Sequence, residues 1–227
     1  MTGEMKWAVA SLAILLSSCG RRIEQYVLPD KVTDFASLYG ANCAGCHGPD
    51  GRNGAAHPLN DPLYLALIGK EKLRDIISKG VPRTAMPAFA QNAGGTLTDQ
   101  QVSLLAGQIE GRWSRAQDFA GVALPPYSAD LGDANRGEVV FRSYCSKCHG
   151  DDKPGRSIID PAFLSLVSDQ SLRTTVITGR GDRSSPDWRN DAVDHALTPQ
   201  EISDVVAWLA AHRTPPGNLL KGELTLR

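Results

Sequence analysis

Two pentapeptides declare their chemistry openly: "CAGCH" at 43–47 and "CSKCH" at 145–149. A Cys-x-x-Cys pair by itself fits several uses. A thioredoxin-like redox pair needs a βαβ setting, and no segment here shows the sustained alternation of a strand. A zinc ribbon sets its two pairs roughly 15–20 residues apart, whereas these pairs lie about a hundred residues apart. The third chemistry is covalent haem attachment. Both thiols add to vinyl groups along one porphyrin edge, and the adjacent histidine swings under the ring to reach the iron. The whole pentapeptide, histidine included, occurs twice, which selects this third use.

Both motifs sit in copies of one larger unit. "YGANCAGCHG" at 39–48 answers to "FRSYCSKCHG" at 141–150. "DPLYLALIGKEKLRDIISKG" at 61–80 answers to "DPAFLSLVSDQSLRTTVITG" at 160–179, and "LTDQQVSLL" at 97–105 to "LTPQEISDVV" from 197. Three matches in the same order, offset by 99 to 102 residues, mark a tandem duplication of a unit of about 80 residues. Each copy reads as helical. Phe35, Leu38 and Tyr39 share a face running into the first cysteine pair, and Val102, Leu105, Ala106 and Ile109 fall at helical spacing. Thr98 with Gln101 has capping-box form, and Thr198, Pro199 and Glu201 repeat it ahead of the stripe Ile202, Val205, Val206 and Leu209. The joint "SRAQDFAGVALPPYSADLGDA" lacks helical periodicity and reads as a linker. A unit this small buries little core alone, and a large flat cofactor would supply the missing apolar contact.

With these residues in place the sequence resembles the class I cytochrome c family, as two tandem domains over roughly 34–113 and 135–213. The resemblance implies an all-α fold, each domain built around one covalently bound haem. An N-terminal helix carrying the attachment motif crosses a C-terminal helix, and a loop between them brings a methionine sulfur to the distal face of the iron. Carried over by position, Cys43, Cys46 and His47 attach and ligate haem 1, and Cys145, Cys148 and His149 do so for haem 2, giving two covalently bound haem c groups. Met86, in "AMPAF", matches the family's distal methionine. Methionine is also a common filler of core gaps. However, Met86 is the only methionine outside the leader, and its flanking proline fits the family loop. His/Met ligation closes the iron and raises its potential, which suits outer-sphere electron transfer.

The second copy departs from this pattern. "SSPDW" aligns with "AMPAF", so Ser185 stands where Met86 would, and no methionine follows residue 86. A serine hydroxyl is a poor, hard ligand for haem iron. His195, in "AVDHALT" just before the final helix, is the candidate sixth ligand of haem 2; the plainer reading makes it a surface loop residue. The remaining outcome is a five-coordinate or water-bound iron. His212 reads as a solvated helix-end residue, and His57 as an exposed loop residue of the first unit. Bis-His ligation would drop haem 2 below haem 1 in potential, whereas an open site would bind CO, NO or peroxide.

The other cysteine and the composition bear on location. Residues 1–18 read as a secretory signal with an apolar run from Trp7 to Leu16, too short for a bilayer span of roughly 20 residues, and translation from Met5 would give it a basic start. "LSSC" resembles a bacterial lipobox with Cys19 as the acylated residue; an ordinary signal with a chance cysteine is the alternative. The expected division is therefore leader 1–18, tether 19–33, first domain 34–113, linker 114–134, second domain 135–213 and tail 214–227. Gly20 lacks the aspartate that marks inner-membrane retention in some bacteria, so the expected location is the periplasmic side, anchored by lipid to the outer membrane. A net charge of -1 argues against nucleic acid as a partner. The expected function is a dihaem electron carrier, or a cytochrome subunit of a larger complex, rather than an enzyme. It would pass electrons between a membrane oxidoreductase complex and another cytochrome or a copper protein. The alternative is a peroxidase-like enzyme or ligand sensor at an open haem 2. Against that alternative, Asp187, Asp191 and Asp194 read as solvated loop acids, and a third option makes haem 2 a structural relic.

Overall fold

The computed structural model describes residues 26–150, 157–189 and 195–214. The leader with Cys19, the C-terminal tail and the loop acids Asp191 and Asp194 lie outside the described residues. The chain divides into one unit up to Val32 and a second from Thr33 onward. Of the first, a single 3₁₀ turn, Pro29–Lys31, is described. Everything below concerns the second unit, which holds both repeats.

In the first repeat, α1 (Phe35–Asn42) starts at the N-cap Asp34, whose carboxylate accepts from the Ser37 amide at 2.7 Å, and runs almost directly into α2 (Ala44–His47). Helix α3 (Pro62–Lys79) begins at Asp61, which caps Leu63 and Tyr64, and bends at Gly69. Helix α4 (Asp99–Trp113) carries the full Thr98–Gln101 capping box. The second repeat follows the same order: α5 (Ala134–Val140), a π turn (Phe141–Cys145), α6 (Ser146–His149), α7 (Pro161–Leu166), α8 (Asp169–Thr178) and α9 (Pro199–Ala211). At the position of the Gly69 bend the second copy has Ser168. Its hydroxyl accepts from the Ser171 amide and starts a new helix, so one bent helix becomes two. Among the described residues there are no strands, only the isolated bridges Ala90–Leu97 and Arg180–Ser185. The architecture is all-α, in two tandem copies.

The expected stripes are the core. Val102, Leu105, Ala106 and Ile109 on α4, and Ile202, Val205, Val206 and Leu209 on α9, are each at most 2% exposed. The first and last helices of each repeat meet through aromatic side chains, but not equally closely. In the first repeat Phe35 and Tyr39 of α1 pack on Trp113 of α4, with centroids 6.3 and 5.6 Å apart. In the second, the position of Phe35 is held by Gly137, and a Cβ there would lie 2.0 Å from the Asp204 carbonyl oxygen. The backbones of α5 and α9 therefore touch. The crossing is locked by Asp204, whose carboxylate takes both Nε and Nη2 of Arg136 at 2.8 and 2.9 Å and the Asp133 amide at 2.7 Å. The Arg136 guanidinium holds the Asp204 carboxyl below the usual carboxylate range.

The joint between repeats is laid down on the second repeat. Arg173, buried on α8, donates to the Pro126 carbonyl from Nε and Nη2, Gln170 reaches the Tyr127 carbonyl, and the Gly132 amide reaches the Ser203 carbonyl. In the other direction Leu63 of α3 enters the apolar cluster of the second repeat, beside Leu164, Leu172 and Trp188 among others.

Gly137→Ala tests the close crossing. Alanine gains about 1 kcal/mol of helix propensity, but the clash forces the helices apart, and thermal denaturation should show a net loss of about 1–3 kcal/mol. Gly111→Ala on α4, where the new methyl meets nothing within 4 Å, should instead stabilise by up to about 1 kcal/mol.

Candidate haem sites

Helices α1 and α2 deliver the first motif. Tyr39, buried under Trp113, donates its hydroxyl to the Gly48 carbonyl at 2.9 Å and so ties the end of the motif to the helix crossing. None of the four motif cysteines is in a disulfide; Cys43 is buried and Cys46 exposed. Burial, helped by the neighbouring Cys46, pushes the Cys43 thiol up to about 11. His47 is 9% exposed, and its Nδ1 lies 2.7 Å from the His57 carbonyl oxygen. A carbonyl only accepts, so Nδ1 carries the proton and Nε2 is the nitrogen left for a metal. Burial holds the ring below the usual histidine range, in the neutral form a ligand needs. Two thiols three residues apart followed by a pre-oriented imidazole are a donor set that fits haem c. Among the described residues no three His, Cys, Asp or Glu side chains gather into an ion site.

The loop that carries Met86 is closed on α3. The α3 cap, Gly80, has φ +70°, and a Cβ on it would sit 2.6 Å from the Met86 carbonyl oxygen. Only glycine fits both the turn and the approach. The Val81 amide donates to the Met86 carbonyl at 3.1 Å. Thr84 finishes the loop, donating its hydroxyl to the Val81 carbonyl at 2.8 Å and accepting from the Met86 amide at 3.1 Å.

The second repeat reproduces this frame without the sulfur. Gly179, φ +67°, would clash with the Ser185 and Pro186 carbonyls, and the Arg180 amide donates to the Ser185 carbonyl at 3.1 Å. Ser185 thus occupies the backbone position of Met86 in the structure as well as in the alignment. Burial and the nearby Cys148 push the Cys145 thiol up to about 11, and Cys148 is exposed. His149, which closes α6, is partly buried. Ser185 also lines a cleft of about 440 Å³ between the repeats, with Arg52, Asp61 and Leu63 on one side and Thr178 and Asp182 on the other.

His195 is not aimed into an apolar pocket. Its side chain is 56% exposed, with Nε2 at 2.9 Å from the Tyr144 hydroxyl and 3.2 Å from Glu201 Oε1. To ligate iron through Nε2 it would give up both partners. His212 is not simply solvated: its Nδ1 lies 2.8 Å from the Trp208 carbonyl and its ring packs on the Trp208 indole. Asp187 does not stand alone in solvent either, since it pairs with Arg189.

The reading of His57 as an exposed loop residue is corrected. It is largely enclosed between the repeats, its ring tilted against Tyr64 with centroids 4.7 Å apart and Nε2 3.2 Å from the Thr178 hydroxyl. Burial, with the Arg180 charge nearby, lowers its pKa to about 3. Around it Arg180 and Arg183 both donate to the Gly54 carbonyl, at 3.2 and 3.0 Å, and the Asn53 amide donates to Asp182 at 3.1 Å. The sequence did carry a signal for this contact. Where the first copy reads Val81-Pro82-Arg83-Thr84, the second reads Arg180-Gly181-Asp182-Arg183, a gain of charge in one copy only.

Thr84→Val removes both hydrogen bonds that finish the Met86 loop. Each bond is worth about 1 kcal/mol, so exchange of the Met86 amide should speed up about five- to tenfold by NMR, and Thr84→Ser should restore it.

Comparison with known proteins agrees with this architecture. The model of the family described as cytochrome c oxidase, cbb3-type, subunit III matches residues 30–107 and again 132–209. The Cbb3-type cytochrome c oxidase subunit CcoP of Azospirillum sp. strain B510 is 30% identical over 130 residues, 52% of this chain and 39% of that protein. Subunit FixP of Rhizobium etli is 30% identical over 130 residues, 53% of this chain and 40% of that protein. The chain thus spans about 40% of the length of these curated relatives. Cytochrome c-L of Methylorubrum extorquens is 28% identical over 147 residues, 58% of this chain and 72% of that protein. With two matched repeats covering more than half of its length, the chain belongs to the cytochrome c oxidase, cbb3-type, subunit III family, as two tandem c-type cytochrome domains with two covalently bound haem c groups.

Proposed function

We propose that this protein is an exported dihaem electron carrier, held at a membrane surface by lipid on Cys19. It passes electrons between a membrane redox complex and another redox protein, as a subunit of that complex rather than as an enzyme. Cys43, Cys46 and His47 hold haem 1 and Cys145, Cys148 and His149 hold haem 2, within domains 34–113 and 135–213. Met86 is the sixth ligand of haem 1. The observation that carries this reading is the pair of matching frames: each has a motif helix crossing the last helix of its repeat and a glycine-closed loop opposite, and side chains join the two frames directly.

The chemistry such groups supply is one-electron transfer at iron. The chain's own part is to hold it still. Burial keeps His47 neutral, the His57 carbonyl orients it, and the Met86 loop is pinned at Gly80 and Thr84. A closed pair of ligands limits rearrangement between oxidation states and leaves no position for substrate. The relatives' names, cytochrome oxidase subunits and a cytochrome c-L, support the subunit reading. Among the described residues no helix is long and apolar enough to cross a membrane. In this reading the lipid on Cys19 supplies the attachment, at the outer membrane in keeping with Gly20.

One observation favours a second reading. Ser185 stands at the methionine position and opens onto the cleft between the repeats. With His195 engaged by Tyr144 and Glu201, haem 2 then keeps an open or water-bound sixth position and binds small ligands, as a sensor or a peroxidase-like enzyme would.

Carbon monoxide decides between the two. With both haems closed, the reduced protein binds none. With haem 2 open, half the haem binds CO, and Met86→Ala brings the other half in; failure of Met86→Ala to add CO-binding haem would refute Met86 as ligand. Visible and EPR spectra of His195→Ala provide the second check. A spectrum identical to wild type excludes His195 as an axial ligand, and loss of a low-spin component establishes it.

A further inference from the structure

The second repeat's loop has lost its methionine but is not idle. From Arg180 to Arg183 its side chains turn outward onto the first repeat, and the surface they grip is the loop that follows the first attachment motif. Arg180 is 15% exposed and pairs with Asp182, which is 4% exposed, at 2.9 Å. That pairing pre-forms a clamp whose free valences reach Asn53 and Gly54. Arg183 adds a second donor to the same Gly54 carbonyl. One residue before the loop's glycine, Thr178 meets His57.

The direction of that last hydrogen bond can be worked out. The Thr178 hydroxyl has one proton and sits 2.9 Å from the Thr174 carbonyl, which only accepts. The hydroxyl therefore donates to Thr174 and accepts from His57, which puts the His57 proton on Nε2. His57 Nδ1 then carries a lone pair with no hydrogen-bond partner among the described residues. An unmatched acceptor there costs less than an unmatched buried N–H would. The ring is thus anchored at one end by the second repeat, while the carbonyl of the same residue receives the Nδ1 proton of His47. The Ala56 amide, hydrogen bonded to the Cys46 carbonyl at 2.9 Å, holds the intervening loop to the motif.

We propose that the second repeat, through Thr178 on His57 and the Arg180–Asp182–Arg183 clamp on Asn53 and Gly54, positions the proximal histidine of the first haem and thereby sets that haem's redox equilibrium. The duplicated loop has exchanged one job for another: the first copy presents a ligand to its own haem, and the second steadies the opposite ligand of its neighbour. The physical link is the His47–His57 hydrogen bond. A partner that accepts the ligand's ring proton makes the imidazole a stronger donor and favours the oxidised iron. Loosening the carbonyl weakens that effect and favours the reduced state. His57, Thr178 and the clamp act only through His47; they are positioning residues. The inference rests on His47 as the axial ligand of haem 1.

The test is a spectroelectrochemical titration of the full-length protein with both haems attached. Wild type should give two one-electron waves, and the wave that moves in Met86→Ala is assigned to haem 1. If two waves are not found, or neither moves in Met86→Ala, the ligand assignment fails rather than this inference. Thr178→Val, close to isosteric but without the hydroxyl, should shift the haem 1 equilibrium toward the reduced form by about three- to tenfold, tenfold being about 59 mV for one electron. Thr178→Ser should return it to the wild-type value. Arg183→Gln, an exposed change that leaves the core intact, should shift it the same way by a smaller factor, and decides the matter if Thr178→Val does not fold. A haem 1 wave that stays put in Arg183→Gln and in folded Thr178→Val overturns the proposal. So does a shift that Thr178→Ser fails to restore.

Discussion

His47 gives its Nδ1 proton to the His57 carbonyl, and the surroundings of the first site are arranged to keep that carbonyl in place. The loop from Gly48 to Asn60 has no regular structure of its own, so its position must come from outside. Tyr39 fixes its start, Ala56 ties its middle back to Cys46, and Asn60 returns to the Gly51 carbonyl. What remains is the outer side of the loop, and there the second repeat supplies Thr178, Arg180, Asp182 and Arg183. The same constraint encloses most of the His57 ring. A neutral imidazole filling the gap against Tyr64 costs far less than a charged one would, and its pKa falls accordingly.

Duplication explains how such an arrangement arises from ordinary parts. Both copies keep the features without which the frame cannot close: a capped final helix, an aromatic crossing and a glycine at the end of the helix before the distal loop. They differ where a side chain can change without breaking the frame. Phe35 becomes Gly137, and the second crossing tightens until backbones touch and buried Asp204, paired with exposed Arg136, can lock it. Gly69 becomes Ser168, and one bent helix becomes two. Met86 becomes Ser185, and the loop's retained geometry serves contact with the other copy.

In the proposed role these differences have a purpose. Two haems in equivalent sites would be redundant, whereas two in unequal sites give electrons a direction. Packing the two repeats into one body fixes the separation between them, and Leu63 entering the second repeat's apolar cluster contributes to that rigidity. Family membership is compatible with several parent complexes, since the relatives include oxidase subunits and a cytochrome c-L and the chain matches only part of the former.

The sequence by itself determined the repeat, the helical class, the two Cys-x-x-Cys-His motifs, the capping boxes at Thr98 and Thr198, the apolar stripes on the two final helices and the substitution of Ser185 for a methionine. These are local or periodic signals: a cap needs three residues of spacing, a stripe needs 3.6, and a motif needs adjacency. Only the tertiary structure decided where the side chains of His57 and His195 lie. His57 looked like a loop histidine because nothing near it in sequence would bury it; Thr178 and Arg180 lie more than a hundred residues away, and their contact exists only once the two copies dock. For His195 the sequence left a ligand and a surface loop residue both open, because it stands before the final helix. Where it points, however, is set by Tyr144 and Glu201, whose side chains meet it in the folded chain. Burial and direction at a loop residue are properties of the surfaces that close over it, and those surfaces come from elsewhere in the chain.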